Sequence, residues 1–223
     1  DLAYPEYADT SDAIFRIFIP KVTVNSPNGG EQWQVGQPYN ITWTSSDMAN
    51  IKIEYTTNSG SNWMSITAST ATAPGSYSWT IPNTPSQLCK VRITDVANPT
   101  IGDSSDALFR IFLPALTVAT PNGAEQWKVG TQQNITWTSA DVANVKLEYT
   151  TNNGTTWNNI VNSVPAVPAS YAWTIPNTPS TQCKVRITNV AFPNIGDTSD
   201  NVFRIFLPAV AITSPNGGEQ WQA

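Results

Sequence analysis

The chain has 223 residues, 40% of them hydrophobic and only 12% charged, with a net charge of −5. That balance leaves enough apolar mass for packed cores, and its acidity argues against nucleic acid, whose phosphates call for a basic footprint. Nine Trp and no His are present, so His-based triads and His-based metal sites are excluded.

In chain order, the segment SDAIFRIFIP at 11–20 alternates apolar and polar residues and reads as a strand. Short strands are expected at 21–25 and 32–35. At 40–45, Ile41 and Trp43 share a face; at 50–57, Ile51, Ile53 and Tyr55 do. A strand at 62–67 follows, then 76–81 with Tyr77, Trp79 and Ile81 in phase. Next come 89–93, with Cys89, Val91 and Ile93 alternating with Lys90 and Arg92, and 108–113, with Phe109, Ile111 and Leu113 in phase. Pro-Asn-Gly-Gly at 27–30, Asn-Ser-Gly at 58–60 and Pro-Asn-Thr-Pro at 82–85 are turn chemistry. No stretch has helical periodicity.

The whole pattern then repeats. PNGGEQW at 27–33 returns as PNGAEQW at 121–127 and PNGGEQW at 215–221, in steps of 94 residues. Residues 22–115 align with 116–209 without a gap, at 61 identities in 94 positions. SDAIFRIFIP at 11–20 returns as SDALFRIFLP at 105–114 and SDNVFRIFLP at 199–208. The expected organisation is the end of a preceding repeat at 1–21, complete repeats at 22–115 and 116–209, and the start of a following repeat at 210–223. Seven or eight short strands per repeat predict an all-β chain of tandem immunoglobulin-like or fibronectin type III-like β-sandwiches. Leu113-Pro114-Ala115 joins the repeats without a Gly/Ser linker, which predicts a stiff junction.

The motif series SPNGGE-x-W, NITW, K-x-E-Y-T-T-N-x-G-x-x-W, SYSWTIPNTPS-x-x-CKVRI and D-x-SD-x-x-F-x-I resembles the repeat of the Ser-Thr-rich GPI-anchored membrane family. That domain is also found at the N-terminus of yeast cell-wall synthesis proteins, and in tandem in bacterial secreted and surface proteins. The resemblance implies an extracellular β-sandwich and carries over no catalytic site. The hairpin T-x-N-x-G-x-x-W ending at Trp63 and Trp157 looks like an Asp-box turn with Asn in place of Asp.

Several side chains are candidates for function. Trp33 and Trp127, beside the Gly turn, are candidate glycan-stacking platforms, with core packing as the alternative. Trp221 is their equivalent in the last segment. Asp103 and Asp106, with Asp197 and Asp200, are calcium candidates, the alternative being turn-capping hydrogen bonds; Asp9 and Asp12 are their counterparts. Phe112, on the outward phase, and its equivalents Phe18 and Phe206 are interface candidates, together with Pro114 and Pro208. Lys52, Glu54, Lys90, Arg92 and Arg110 sit on outward phases, and Glu54 is placed to pair with Arg92 as an exposed, low-value ion pair. Cys89 and Cys183 read as buried free thiols. Three N-x-[ST] sequons, at Asn40, Asn134 and Asn153, are glycosylation candidates.

The expectation is a non-enzymatic structural module of an extracellular or cell-surface fibre, with no cofactor. Its partners would be further copies of itself, through strand sharing. The alternatives are an adhesive or glycan-binding module, in which a cell-surface glycan is the partner, and accessory repeats of a secreted hydrolase. No membrane insertion is expected, since no run approaches ~18 apolar residues.

Overall fold

The computed structural model describes residues 11–213 and 217–222. Among the described residues, every regular element is a strand. The chain forms two compact units, parting between Phe112 and Leu113.

The first sandwich has nine strands: β1 (Lys21–Ser26), β2 (Gln32–Gln34), β3 (Pro38–Ser46), β4 (Asn50–Thr56), β5 (Met64–Ala71), β6 (Ser76–Thr80), β7 (Ser86–Asp95), β8 (Gly102–Ser104) and β9 (Phe109–Phe112). One sheet has the order β1-β3-β6. The other runs β2-β9-β7-β4-β5, with β8 also paired to β7. All pairings are antiparallel except β2 with β9, which is parallel, Trp33 opposite Ile111. The second sandwich repeats this plan in β10 (Ala115–Thr120), β11 (Gln126–Lys128), β12 (Gln132–Ala140), β13 (Asn144–Thr150), β14 (Asn158–Pro165), β15 (Ser170–Thr174), β16 (Ser180–Asn189), β17 (Gly196–Thr198) and β18 (Phe203–Phe206). Its sheets are β10-β12-β15 and β11-β18-β16-β13-β14, with β17 on β16. The all-β tandem sandwich is therefore the architecture.

Each core follows from the period-two pattern, one face of every strand turned inward. Ile41 and Trp43 on β3 meet Ile51 and Ile53 on β4, Val91 and Ile93 on β7, and Phe109 and Ile111 on β9 in one buried cluster. The equivalent residues of the second unit form a separate cluster. Cys89 and Cys183 are fully buried free thiols.

Two details differ from the sequence reading. Strands β8 and β17 were not anticipated, because Gly-Asp-Ser and Gly-Asp-Thr carry no apolar alternation. The strand expected at 21–25 is present as β1, with Lys21 paired to Ser46, and Ala115 of β10 pairs with Ala140 in the same way. The segment expected as a last strand at 11–20 forms none, although it matches 105–114 at eight of ten positions. Nor is a strand present among the described residues of 210–223. The reason is tertiary. FRIF at 109–112 is a strand because β7 and β2 flank it. At 15–18 the same four residues have no flanking strands among the described residues, and Phe15 and Ile17 are 71% and 85% exposed against 1% for Phe109 and Ile111.

Candidate functional site

The loop that opens each sandwich is built around Pro-Asn-Gly. Glu31 folds back so that its carboxylate accepts hydrogen bonds from the Asn28 and Gly29 amides, at 2.7 and 2.8 Å. Gly29 has φ +141°, and a Cβ there would stand 2.6 Å from Ala107 Cβ, so only glycine fits. Asn28 pairs reciprocally with Asp106. Its side-chain amide donates to Asp106 Oδ2 at 2.8 Å, and its Oδ1 accepts from the Asp106 amide at 2.7 Å. Ser105 lies buried beneath. Its hydroxyl donates to Pro27 O at 2.6 Å and accepts from Val91 N at 2.9 Å.

The calcium candidates sit within this network. Asp103 Oδ2 accepts from Val24 N at 2.8 Å, and Asp197 Oδ2 from Val118 N at 2.8 Å. Asp106 and Asp200 each accept from an asparagine side chain, Asn28 and Asn122. Asp103 and Asp197 pin the opening strand to β8 and β17, and Asp106 and Asp200 tie the opening loop to the turn that follows them. Among the described residues, no three of His, Cys, Asp and Glu converge as a metal site would need. Asp12 is exposed on the unpaired segment, and Asp9 lies outside the described residues.

The glycan-stacking candidates are corrected by the structure. Trp33 and Trp127 are each only 5% exposed. Parallel pairing with β9 and β18 turns both indoles into the core. Trp33 stacks on Tyr39 at 5.1 Å and 6°, and meets Trp79 and Phe109 at 6.0 and 5.1 Å. Trp221, with no sheet to join among the described residues, is 72% exposed.

The interface candidates divide. Phe112 and Phe206 are half-buried, with the guanidinium of Arg110 or Arg204 over the ring at 5.5 or 5.4 Å. Phe18 is half-exposed with Arg16 over it at 5.6 Å, and Arg16 also pairs with Asp47 at 2.7 Å. Pro114 is buried and Pro208 exposed.

The charged ladder on the β4–β7 face is stronger than expected for exposed charges. Arg92 stacks over Trp63 at 4.3 Å and donates from Nε and Nη2 to Glu54 Oε2, at 3.1 and 2.7 Å. Lys52 Nζ reaches Glu54 Oε1 at 2.7 Å. Glu54 is thereby buried, only 7% exposed, although it stands on the outward phase. Burial pushes its carboxyl up, but hydrogen bonds and charge from Lys52 and Arg92 outweigh that and hold it below the ordinary value. Lys146, Glu148, Arg186 and Trp157 repeat the arrangement. The Trp–Arg stacks were not anticipated; the recurrence of Trp63 and Trp157 one hairpin away from the Glu–Arg pair was the available signal.

A cleft lies beside each ladder. That of the first sandwich, about 280 Å³, is lined by Lys52, Glu54, Arg92, Asp95 and Pro99. Its counterpart, about 440 Å³, has Asn189 in place of Asp95, with Lys146, Glu148 and Arg186. Both oxygens of each glutamate are engaged by cations, so these carboxylates are ionised and poor proton donors at neutral pH.

No protein-family model matches the chain, and no curated protein does. Solved structures to which it is similar include the following. The fibronectin(III)-like modules of Clostridium thermocellum CbhA align at 17% identity over 91% of this chain and all of theirs, TM-score 0.33. A three-Ig-domain structure of titin aligns at 11% identity over 86% of this chain and 68% of its own, TM-score 0.46. The two Ig domains of DIP-gamma align at 7% identity over 83% and 97%, TM-score 0.43.

Proposed function

We propose that the chain is a non-enzymatic structural module of a long extracellular or cell-surface fibre, built by tandem repetition. One observation carries this reading. The sequence that forms an inner strand in both sandwiches occurs a third time at 11–20, with no sheet around it among the described residues and five large apolar side chains exposed, from Ile14 to Ile19. Such a segment is suited to serve as the last strand of a further sandwich of the same kind. The PNGGEQW copy at 215–221 fits the opening of another.

Other features support it. The chemistry-bearing carboxylates are spent on turns and ion pairs. The Leu113-Pro114-Ala115 sequence offers no flexible linker. Extracellular placement follows the motif resemblance to secreted tandem domains. Copies would join through the unpaired terminal segments, in the manner of strand addition. The test is Phe15→Asp with Ile17→Asp. Both sandwiches should melt as in the wild type, because neither core contains these residues. Fibres should be lost. Fibres that survive the double substitution would contradict the reading.

A further inference from the structure

The two faces of each sandwich differ in chemistry. The sheet containing β4 and β7 carries the charged ladder. The three-stranded sheet of the second unit, ALTVAT, QQNITWTSA and SYAWT, contains no charged residue at all. In the first unit, KVTVNS, PYNITWTSS and SYSWT contribute Lys21 alone. Thr, Ser, Asn and Ala side chains carpet the outward face.

This is an unprotected surface. Exposed sheet edges ordinarily carry charge, proline or a bulge to block edge-to-edge pairing. β1 and β10 each have a register shift near their end. β6 and β15 are edges with none of these devices.

On the central strand of this face stands a sequon, Asn40-Ile41-Thr42, and again Asn134-Ile135-Thr136. Asn40 and Asn134 are exposed, opposite Ser78 and Ala172 of the neighbouring edge strand. Neither side-chain amide has a hydrogen-bond partner among the described residues, nor does the Thr42 or Thr136 hydroxyl. The asparagines of the turns are occupied instead: Asn28, Asn58, Asn122 and Asn152 all bond through their side chains. In the third sequon, Asn153-Gly154-Thr155, the threonine is the occupied partner: its hydroxyl donates to Asn152 O at 3.0 Å.

We propose that Asn40 and Asn134 are N-glycosylation sites, one per repeat on the equivalent sheet, whose sugars cover a face with no charge beyond Lys21 and overhang its bare β6 and β15 edges. The proposal rests on the extracellular reading above. The donor is a sugar activated as a lipid-linked phosphate, transferred by an oligosaccharyltransferase of the secretory route. The asparagine amide nitrogen attacks the anomeric carbon, and the new N–C bond replaces the C–O bond to phosphate. The lipid phosphate leaves with that electron pair, and the amide gives up one proton. The threonine hydroxyl two residues on is the part of the acceptor the enzyme reads. A glycan rooted on the central strand lies about 4.8 Å from each edge strand, well within its reach.

The test is mass spectrometry of the protein purified from its native source, with variants made in the same host. Peptides containing Asn40 and Asn134 should each carry a glycan. Asn40→Gln and Asn134→Gln should each remove one glycan mass, and Thr42→Val should remove the first while leaving Asn40 in place. Asn153→Gln should remove none. Unmodified peptides at both sites, or sugar at Asn153 only, would overturn the proposal. Intact fibres built from unmodified chains would sink this inference while leaving the structural function standing.

Discussion

Replacing Trp33 by Ala tests whether this indole belongs to the core. The ring is 5% exposed and packs against Tyr39, Trp79 and Phe109. Burying roughly 150–250 Å² of aromatic surface at ~25 cal/mol per Å² stabilises by about 4–6 kcal/mol. Measured large-to-small core substitutions of this kind cost about 3–5 kcal/mol. A sandwich of 94 residues holds only about 5–14 kcal/mol in total. At ~4–8 °C per kcal/mol, the first unit should melt more than ~12 °C lower. The second unit has its own core cluster and Trp127, and should be unaffected. Calorimetry of Trp33→Ala should therefore show the first unit melting well below the second. A melting profile unchanged from the wild type would refute the packing argument and return Trp33 to the surface.

Three further outcomes are expected. Ser105→Ala strands the Pro27 carbonyl and Val91 amide inside the fold and should destabilise the first unit by about 1–3 kcal/mol, measured by urea unfolding; the result should hold for Ser199→Ala in the second. Glu54→Gln should cost about 1–3 kcal/mol at neutral pH, towards the low end because Lys52 and Arg92 are partly exposed. Because the folded carboxyl is held below its ordinary value of 4.5, its stabilisation is present above that pH and lost as pH falls through the lower folded value; the gap between variant and wild type should therefore close in acid. Burial pushes the Cys89 and Cys183 thiols up, so a thiol reagent at neutral pH should label neither until the protein is unfolded.

Much of this was legible in the residues. Trp43, Trp79 and Cys89 are legible as core because each stands in phase with neighbours on a strand long enough to show its period. Trp33 has two readings in the sequence because Gln-Trp-Gln is too short for a period, and its direction is set by pairing with β9, far along the chain. Glu54 was given the correct face and partner but the wrong environment. Its burial comes from a guanidinium laid over Trp63, which no strand pattern encodes. Asp103 reads as a possible ligand because it stands three residues from Asp106 in an acidic cluster; the Val24 amide that occupies it is 79 residues away. FRIF makes the point most directly. It is a strand at 109–112 and 203–206 and not at 15–18, so its local propensity is necessary and the flanking strands are decisive.

Electron microscopy of the native assembly, with helical averaging, tests the central claim that these repeats build a fibre through shared sandwiches. The account predicts a continuous filament with density bridging successive copies, in which Phe15 and Ile17 lie inside a sandwich between strands equivalent to β7 and β2. Separate particles without end-to-end order, with residues 15–18 standing in solvent, would contradict it.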